Sequence, residues 1–233
     1  MNDPAILIAI ETSTNWSSVA LIRGPELIAE TGIFIRKDHS GPLGGRIDRI
    51  IRDAGLGVEE IDGVVVPAGP GSFTGLRVGV GFAKGFICGS GRQLYAVSSL
   101  KTIAAGLPFC ELPICSLLDA RKGEVYAQVF RWERGDLLTV SKPVSSPPDE
   151  ILESIQEETI FAGSGCLVYR ELLERELGGK AHMAPSTCSI PRAAVMGHLV
   201  SGCPEEYLVG DPQTFEPAYI RPPEAVVRWR RMK

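Results

Sequence analysis

Between Pro67 and Gly89 the chain reads PAGPGSFTGLRVGVGFAKGFICG, and seven of these 23 residues are glycine. The stretch follows the apolar run Val64-Val65-Val66, opens as a Gly/Pro-rich loop and continues at helical spacing. A glycine inside a helix costs about 1 kcal/mol relative to alanine, so Gly79, Gly81 and Gly85 together cost roughly 3 kcal/mol. Close packing can offset such a cost. Gly75, Gly79 and Ala83 step by four, and so do Gly81, Gly85 and Gly89. The pattern predicts a helix over 75–89 with two small-residue ridges, along which another backbone can approach. That backbone is either the chain's own sheet or a partner, and the spacing does not separate the two faces.

A glycine loop between a strand and a helix is also the setting of a phosphate cradle. The registers do not match. No Gly-Lys pair falls five residues after Gly69 or Gly71, as a P-loop requires. In the dinucleotide pattern Thr74 occupies the third glycine place and Gly75 comes one residue late. A tight strand-to-helix turn at Gly69–Ser72 is the better account.

The elements before this stretch are three strands, at Ala5–Ile10, Ser17–Ile22 and Leu27–Ile35, and a helix within Gly41–Ala54 carrying Leu43, Ile47, Ile50 and Ile51 on one stripe. After it come a strand at Leu94–Val97 and a helix capped by Ser98 or Ser99 that runs to Ala105. The order β-β-β-α-β-α-β-α predicts a mixed sheet, an antiparallel meander joined to βα units, which is the plan of the ribonuclease-H-like fold. Beyond Gly106-Leu107-Pro108 the pattern partly repeats. Strands are predicted at Pro113–Leu118, Glu124–Trp132, Leu137–Val144 and Thr159–Ala162. Helices are predicted after Pro147, at Leu167–Leu177 and at Pro191–Val200. The expected division is an N-terminal lobe over 1–105, a smaller second lobe over 106–206 with a cleft between the two, and a tail over 207–233 that returns to the first lobe. The Pro-rich part of that tail, 210–223, reads as extended.

A net charge of −4 disfavours direct tight binding of nucleic acid by this chain alone. No run of 18 apolar residues occurs, and the start Met1-Asn2-Asp3-Pro4 lacks the basic region of a signal peptide, so the expectation is a cytoplasmic protein with no membrane span. Six cysteines without a C-x-x-C pair read as buried, reduced thiols. His39, His182 and His198 are far apart and form no H-x-x-x-H, so no metal site is expected. Ser98-Ser99-Leu100-Lys101 fits S-x-x-K without its companion motifs, and a helix cap explains the serines. The basic end, Arg228, Arg230, Arg231 and Lys233, reads as a solvated charge run. Glu11 and Asp119 stand at strand ends. Such a pair could hold Mg²⁺ for phosphoryl transfer, or each could simply order its own turn.

Several blocks together identify a resemblance that runs nearly end to end. They are IAIETST at 8–14, His39-Ser40, GPGSFTGLRVG at 69–79, Ala83-Lys84-Gly85, Val97-Ser98-Ser99-Leu100, DARKGEVY at 119–126 and Pro217-Ala218-Tyr219-Ile220-Arg221. The chain resembles the TsaB family, the dimerisation subunits of the bacterial tRNA threonylcarbamoyladenosine machinery, also labelled M22 glycoprotease-like. Nothing in the sequence supports proteolysis.

The resemblance implies an α/β, actin-like ATPase (ribonuclease-H-like) fold, two lobes with mixed sheets flanked by helices. It implies a pseudo-enzyme without cofactor or metal. Its catalytic relative TsaD has a metal-binding H-x-x-x-H helix, which this chain lacks. The implied partners are a TsaD-like catalytic subunit, a TsaE-like ATPase, a second copy when alone, and tRNA only through the complex. Glu11, Thr12, Ser13 and Asp119 would mark a vestigial nucleotide cleft. Leu43, Ile47, Ile50, Gly75, Leu76, Gly79, Val80, Ala83 and Lys84, on the two helices of the first lobe, would face the partner. The chain departs from the family pattern with Glu11, where Asp is more frequent, and with the glycine-rich Gly41-Pro42-Leu43-Gly44-Gly45 at the first helix.

Overall fold

The computed structural model describes residues 4–35 and 43–220. His39-Ser40, the Gly41-Pro42 start expected for the first helix and the basic run 226–233 lie outside them. The elements in chain order are β1 (Ile6–Glu11), β2 (Trp16–Arg23), β3 (Glu26–Phe34), α1 (Leu43–Asp53), β4 (Gly63–Gly69), α2 (Phe73–Ile87), β5 (Gln93–Ser98) and α3 (Ser99–Ala105). They continue with β6 (Ile114–Arg121), β7 (Glu124–Glu133), β8 (Asp136–Thr139), β9 (Val144–Ser146), α4 (Pro148–Glu153), β10 (Thr159–Ala162), α5 (Ser164–Val168), α6 (Arg170–Leu177), β11 (Ala181–Met183), α7 (Ala193–Gly202) and α8 (Pro204–Tyr207).

Two compact units result. Among the described residues, one runs to Thr102 and includes Pro191–Pro217; the other is Ile103–Ile190 with residues 218–220. The first unit holds a sheet of order β3-β2-β1-β4-β5. β1 pairs antiparallel with β2 and parallel with β4, and β4 pairs parallel with β5. The second unit holds β8-β7-β6-β10-β11, with β9 also on β7. There β6 pairs antiparallel with β7 and parallel with β10. Each sheet therefore lays three strands antiparallel and the next two parallel to the first, in the same spatial order. This duplicated plan is the actin-like, ribonuclease-H-like α/β fold.

All six residues of β1 are buried, which explains why it reads as a continuous apolar run rather than an alternation. Ile6, Ile8 and Ile10 join one core with α1 and α2, while Leu7 and Ala9 join a second core with α7. That second core corrects the expected boundary. Residues 191–206, expected in the second lobe, belong to the first, because Ala193, Ala194, Met196 and Val200 of α7 cover the face of the sheet opposite α1 and α2. The Ala193 N–H donates to Ser18 Oγ at 2.9 Å and fixes the start of that helix on β2. Residues 207–217 also lie on the first unit: Val209 N–H donates to Leu94 O at 2.9 Å, and Phe215 packs on the α1/α2 core.

Smaller differences have local causes. Asp119 is not a strand end, because β6 continues to Arg121. The strand expected over Leu137–Val144 is two strands, since Ser141 folds back and its hydroxyl takes the Val129 N–H at 2.9 Å. The helix expected over 167–177 breaks at Tyr169, whose φ of −111° and ψ of 22° are non-helical.

Candidate functional site

The helix of the glycine-rich stretch spans Phe73–Ile87 rather than 75–89. Ser72 is its N-cap, its hydroxyl accepting the Gly75 N–H at 3.3 Å, and Gly89 follows the helix at φ +67°, a left-handed conformation that glycine adopts without strain. The first ridge of the helix faces inward. A methyl group at Gly75 would run into the carbonyl oxygen of Thr12, and one at Gly79 into Thr12 Oγ1. Ala83 is fully buried one turn further on. The Ser72 N–H donates to Ser13 O at 2.7 Å. The absence of side chains at 75 and 79 thus lets the first turns of α2 sit directly on the backbone that leaves β1.

Glu11, Thr12 and Ser13 are the residues underneath, at 0%, 6% and 1% exposure. Glu11 Oε1 accepts the Ser13 N–H at 2.5 Å. Its Oε2 and the Thr12 hydroxyl are buried without a hydrogen-bond partner among the described residues. Burial pushes the Glu11 carboxyl up to about 7, against hydrogen bonds from Ser13 and Thr12 that pull it down. The three residues expected to line a nucleotide cleft are therefore packed beneath a helix of their own unit. Asp119 belongs to the second unit, where its Oδ1 accepts the Arg121 N–H at 2.8 Å and its own N–H donates to Ser164 Oγ at 3.2 Å. It orders a turn in which Arg121, Lys122 and Gly123 all have positive φ.

The residues expected to face a partner need a similar correction. Ile47, Ile50, Leu76, Val80 and Ala83 are buried in the unit's own core, and Gly75 and Gly79 lie against Thr12. Leu43 is half-buried against that core, and Lys84 donates to Gln213 O at 2.8 Å. The apolar stripes of both helices are largely taken up by the sheet of their own unit. The second glycine ridge is the one that points outward: a methyl at Gly81 or Gly85 would meet nothing within 4 Å. Around it lie exposed Thr74, Arg77, Val78 and Cys88, with Val78 half exposed. The Arg77 guanidinium stacks over the Phe73 ring at 3.9 Å, and Phe82 and Phe86 stack at 6.0 Å on the flank. Arg77 and Val78 were not among the residues expected from sequence. The available signal was that Gly81 and Gly85 carry the helix cost of glycine on a face different from Gly75, Gly79 and Ala83.

The remaining motifs have structural uses. Ser98 Oγ accepts the Lys101 N–H at 3.3 Å, and Lys101 Nζ reaches Glu206 at 2.6 Å. His182 pairs with Glu158 at 2.9 Å, and His39 lies outside the described residues. Among the described residues no three His, Cys, Asp or Glu side chains are grouped to hold a metal ion, and no helix is long and apolar enough to cross a membrane.

The duplicated sheet and the strand–glycine turn–helix of the first unit place the chain among two-unit proteins of the actin-like fold. The solved structure of YeaZ from Pseudomonas aeruginosa has this fold too, with a TM-score of 0.77 at 24% identity, covering 92% of this chain and 99% of that one. The family model for TsaD, tRNA N6-adenosine threonylcarbamoyltransferase, matches residues 33–229. The tRNA threonylcarbamoyladenosine biosynthesis protein TsaB of Bacillus subtilis is 29% identical over 96% of this chain and 97% of its own. TsaB of Escherichia coli is 30% identical over 71% and 74%. The chain belongs to the TsaB family, within the wider TsaD-like group.

Proposed function

We propose that this chain is the non-catalytic subunit of the complex that installs threonylcarbamoyl on the adenosine next to the tRNA anticodon, and that it acts by dimerising with and supporting a TsaD-like catalytic subunit. A TsaE-like ATPase joins them, tRNA is met only through the complex, the chain forms a homodimer when alone, and it works in the cytoplasm. The observation that carries the reading is the division of labour on α2. Its inward ridge seals Glu11, Thr12 and Ser13, while its outward ridge is bare glycine with open space beyond. Glycine at two exposed helix positions costs about 2 kcal/mol with no return inside the unit. A partner backbone lying along Thr74, Arg77, Val78, Gly81 and Gly85 would supply the return.

Gly81→Leu and Gly85→Leu test this, because neither position contacts its own core. Both variants are expected to fold, to lose capture of the TsaD-like subunit, and to lose tRNA modification by the reconstituted complex. Normal capture by both variants refutes α2 as the interface. The alternative is an active ATPase or phosphotransferase using Glu11 and Asp119, which requires Mg-ATP to bind the isolated chain. Calorimetry is expected to show no such binding.

A further inference from the structure

We propose that Glu11 is a proton-operated latch on the first turn of α2: neutral, it leaves the turn seated on residues 11–13; ionised, it favours a locally opened form in which water reaches its second oxygen. The geometry is a short relay. Glu11 Oε1 takes the Ser13 N–H at 2.5 Å, Ser13 O takes the Ser72 N–H at 2.7 Å, and the Ser72 hydroxyl caps Gly75 at 3.3 Å. Gly75 and Gly79 rest on Thr12, between the two ends of the relay. Ionisation strengthens the hydrogen bonds from Ser13 and Thr12, but these do not offset the lost solvation of a fully buried carboxylate with no counter-charge, and a desolvated buried charge is the costlier of the two. Opening the turn is the nearest way to solvate it.

The groups on the surrounding elements do not relieve that charge. β2 sets Ser18 opposite Glu11, and its hydroxyl is taken by Ala193 of α7. Arg46 of α1 donates to Ser17 O and Oγ at 3.0 and 2.7 Å. Arg192, at the start of α7, pairs with Glu30 of β3. Arg77 of α2 lies over Phe73, and Lys101 of α3 pairs with Glu206. Among the described residues Glu11 has no ion pair, and burial with no counter-charge raises its carboxyl to about 7, inside the range where cells work.

The test is amide hydrogen exchange by NMR on the whole isolated chain between pH 6 and 8, corrected for the intrinsic pH dependence of exchange. A site titrating at about 7 in the seated form and about 4.5 in the opened form predicts that protection of the Ser13, Ser72 and Gly75 amides falls about tenfold across that interval. Amides of Ile114 and Phe161 in the second unit are expected to hold constant, and Glu11→Gln is expected to abolish the fall. A flat profile at Ser72 and Gly75, or an unchanged fall in Glu11→Gln, overturns the latch. Should that variant not fold, the Glu11 carboxyl carbon of the unsubstituted chain decides: a midpoint near 7 supports the proposal and an ordinary midpoint near 4.5 overturns it. These measurements need no partner, so they stand or fall apart from the proposed function.

Discussion

Replacing Gly75 with alanine probes how α2 is seated more directly than any other single change. The added carbon would overlap Thr12 O and come within 3.2 Å of the Thr12 carbonyl carbon and 3.4 Å of Ser72 Cβ. The obstacle is backbone at the exit of a buried strand, so no side-chain rotation relieves it. Overpacking of this kind costs about 1–3 kcal/mol, and a rigid neighbour puts it at the upper end. Alanine returns up to about 1 kcal/mol of helix propensity, which leaves a net loss of about 2 kcal/mol. Gly81→Ala on the same helix has nothing of its own chain within 4 Å, so at concentrations dilute enough for the monomer only the propensity operates and stability rises by about 1 kcal/mol. The two variants should differ by about 3 kcal/mol, which separates their urea midpoints by roughly 1–2 M for a domain of this size. Urea unfolding followed by far-UV circular dichroism is the assay. Equal midpoints, or Gly81→Ala the less stable of the two, would refute the assignment of the two ridges.

The pH dependence of stability follows from Glu11. Its folded value of about 7 exceeds the ordinary 4.5, so its contribution is fully present below pH 4.5 and is lost as pH rises through 7. The loss amounts to about 3 kcal/mol, and denaturant titrations at pH 5 and pH 8 should show it in the unsubstituted chain and not in Glu11→Gln. Thiol labelling of the native chain should modify exposed Cys88 and Cys203 quickly and leave Cys115 and Cys166 unmodified. Burial removes these two from solvent and raises both thiols, Cys115 to about 12. Asp119→Ala should cost about 1 kcal/mol through loss of the Arg121 N–H bond, with Asp119→Asn retaining most of it; the fluorescence of Trp132 in the second unit reports the change.

The strands β1, β2 and β4 of the first sheet could be read from sequence because burial on both faces leaves long apolar runs such as Ile6–Ile10. The duplication could be read because both units repeat the order of elements. The phase of α2 could not. Four-residue spacing finds two ridges, but which one meets the sheet depends on Thr12 and Ser13, some sixty residues earlier in the chain. The interface residues chosen from the apolar stripe were therefore core residues, and the outward face was visible only as glycine without an internal use. The place of α7 was hidden for a related reason. Its pattern is apolar nearly all round, and its packing on the first sheet, with its bonds to Ser18 and Glu30, ties it to the first unit rather than to its sequence neighbours.

The interrupted first unit has a consequence for how the chain is made. Leu7, Ala9, Ala20, Ile22, Val65 and Val97 form one apolar sheet face, and the helix that covers it begins at Ala193. During synthesis the main part of the second unit, Ile103–Ile190, emerges before that face can close, and at about 5–20 residues per second the interval lasts on the order of 5–20 s. A nascent chain, or one truncated before residue 193, would display an uncovered sheet face, the kind of surface that chaperones hold and that aggregates when they do not. Joining residues 191–217 ahead of Ile6 by circular permutation would remove the interval.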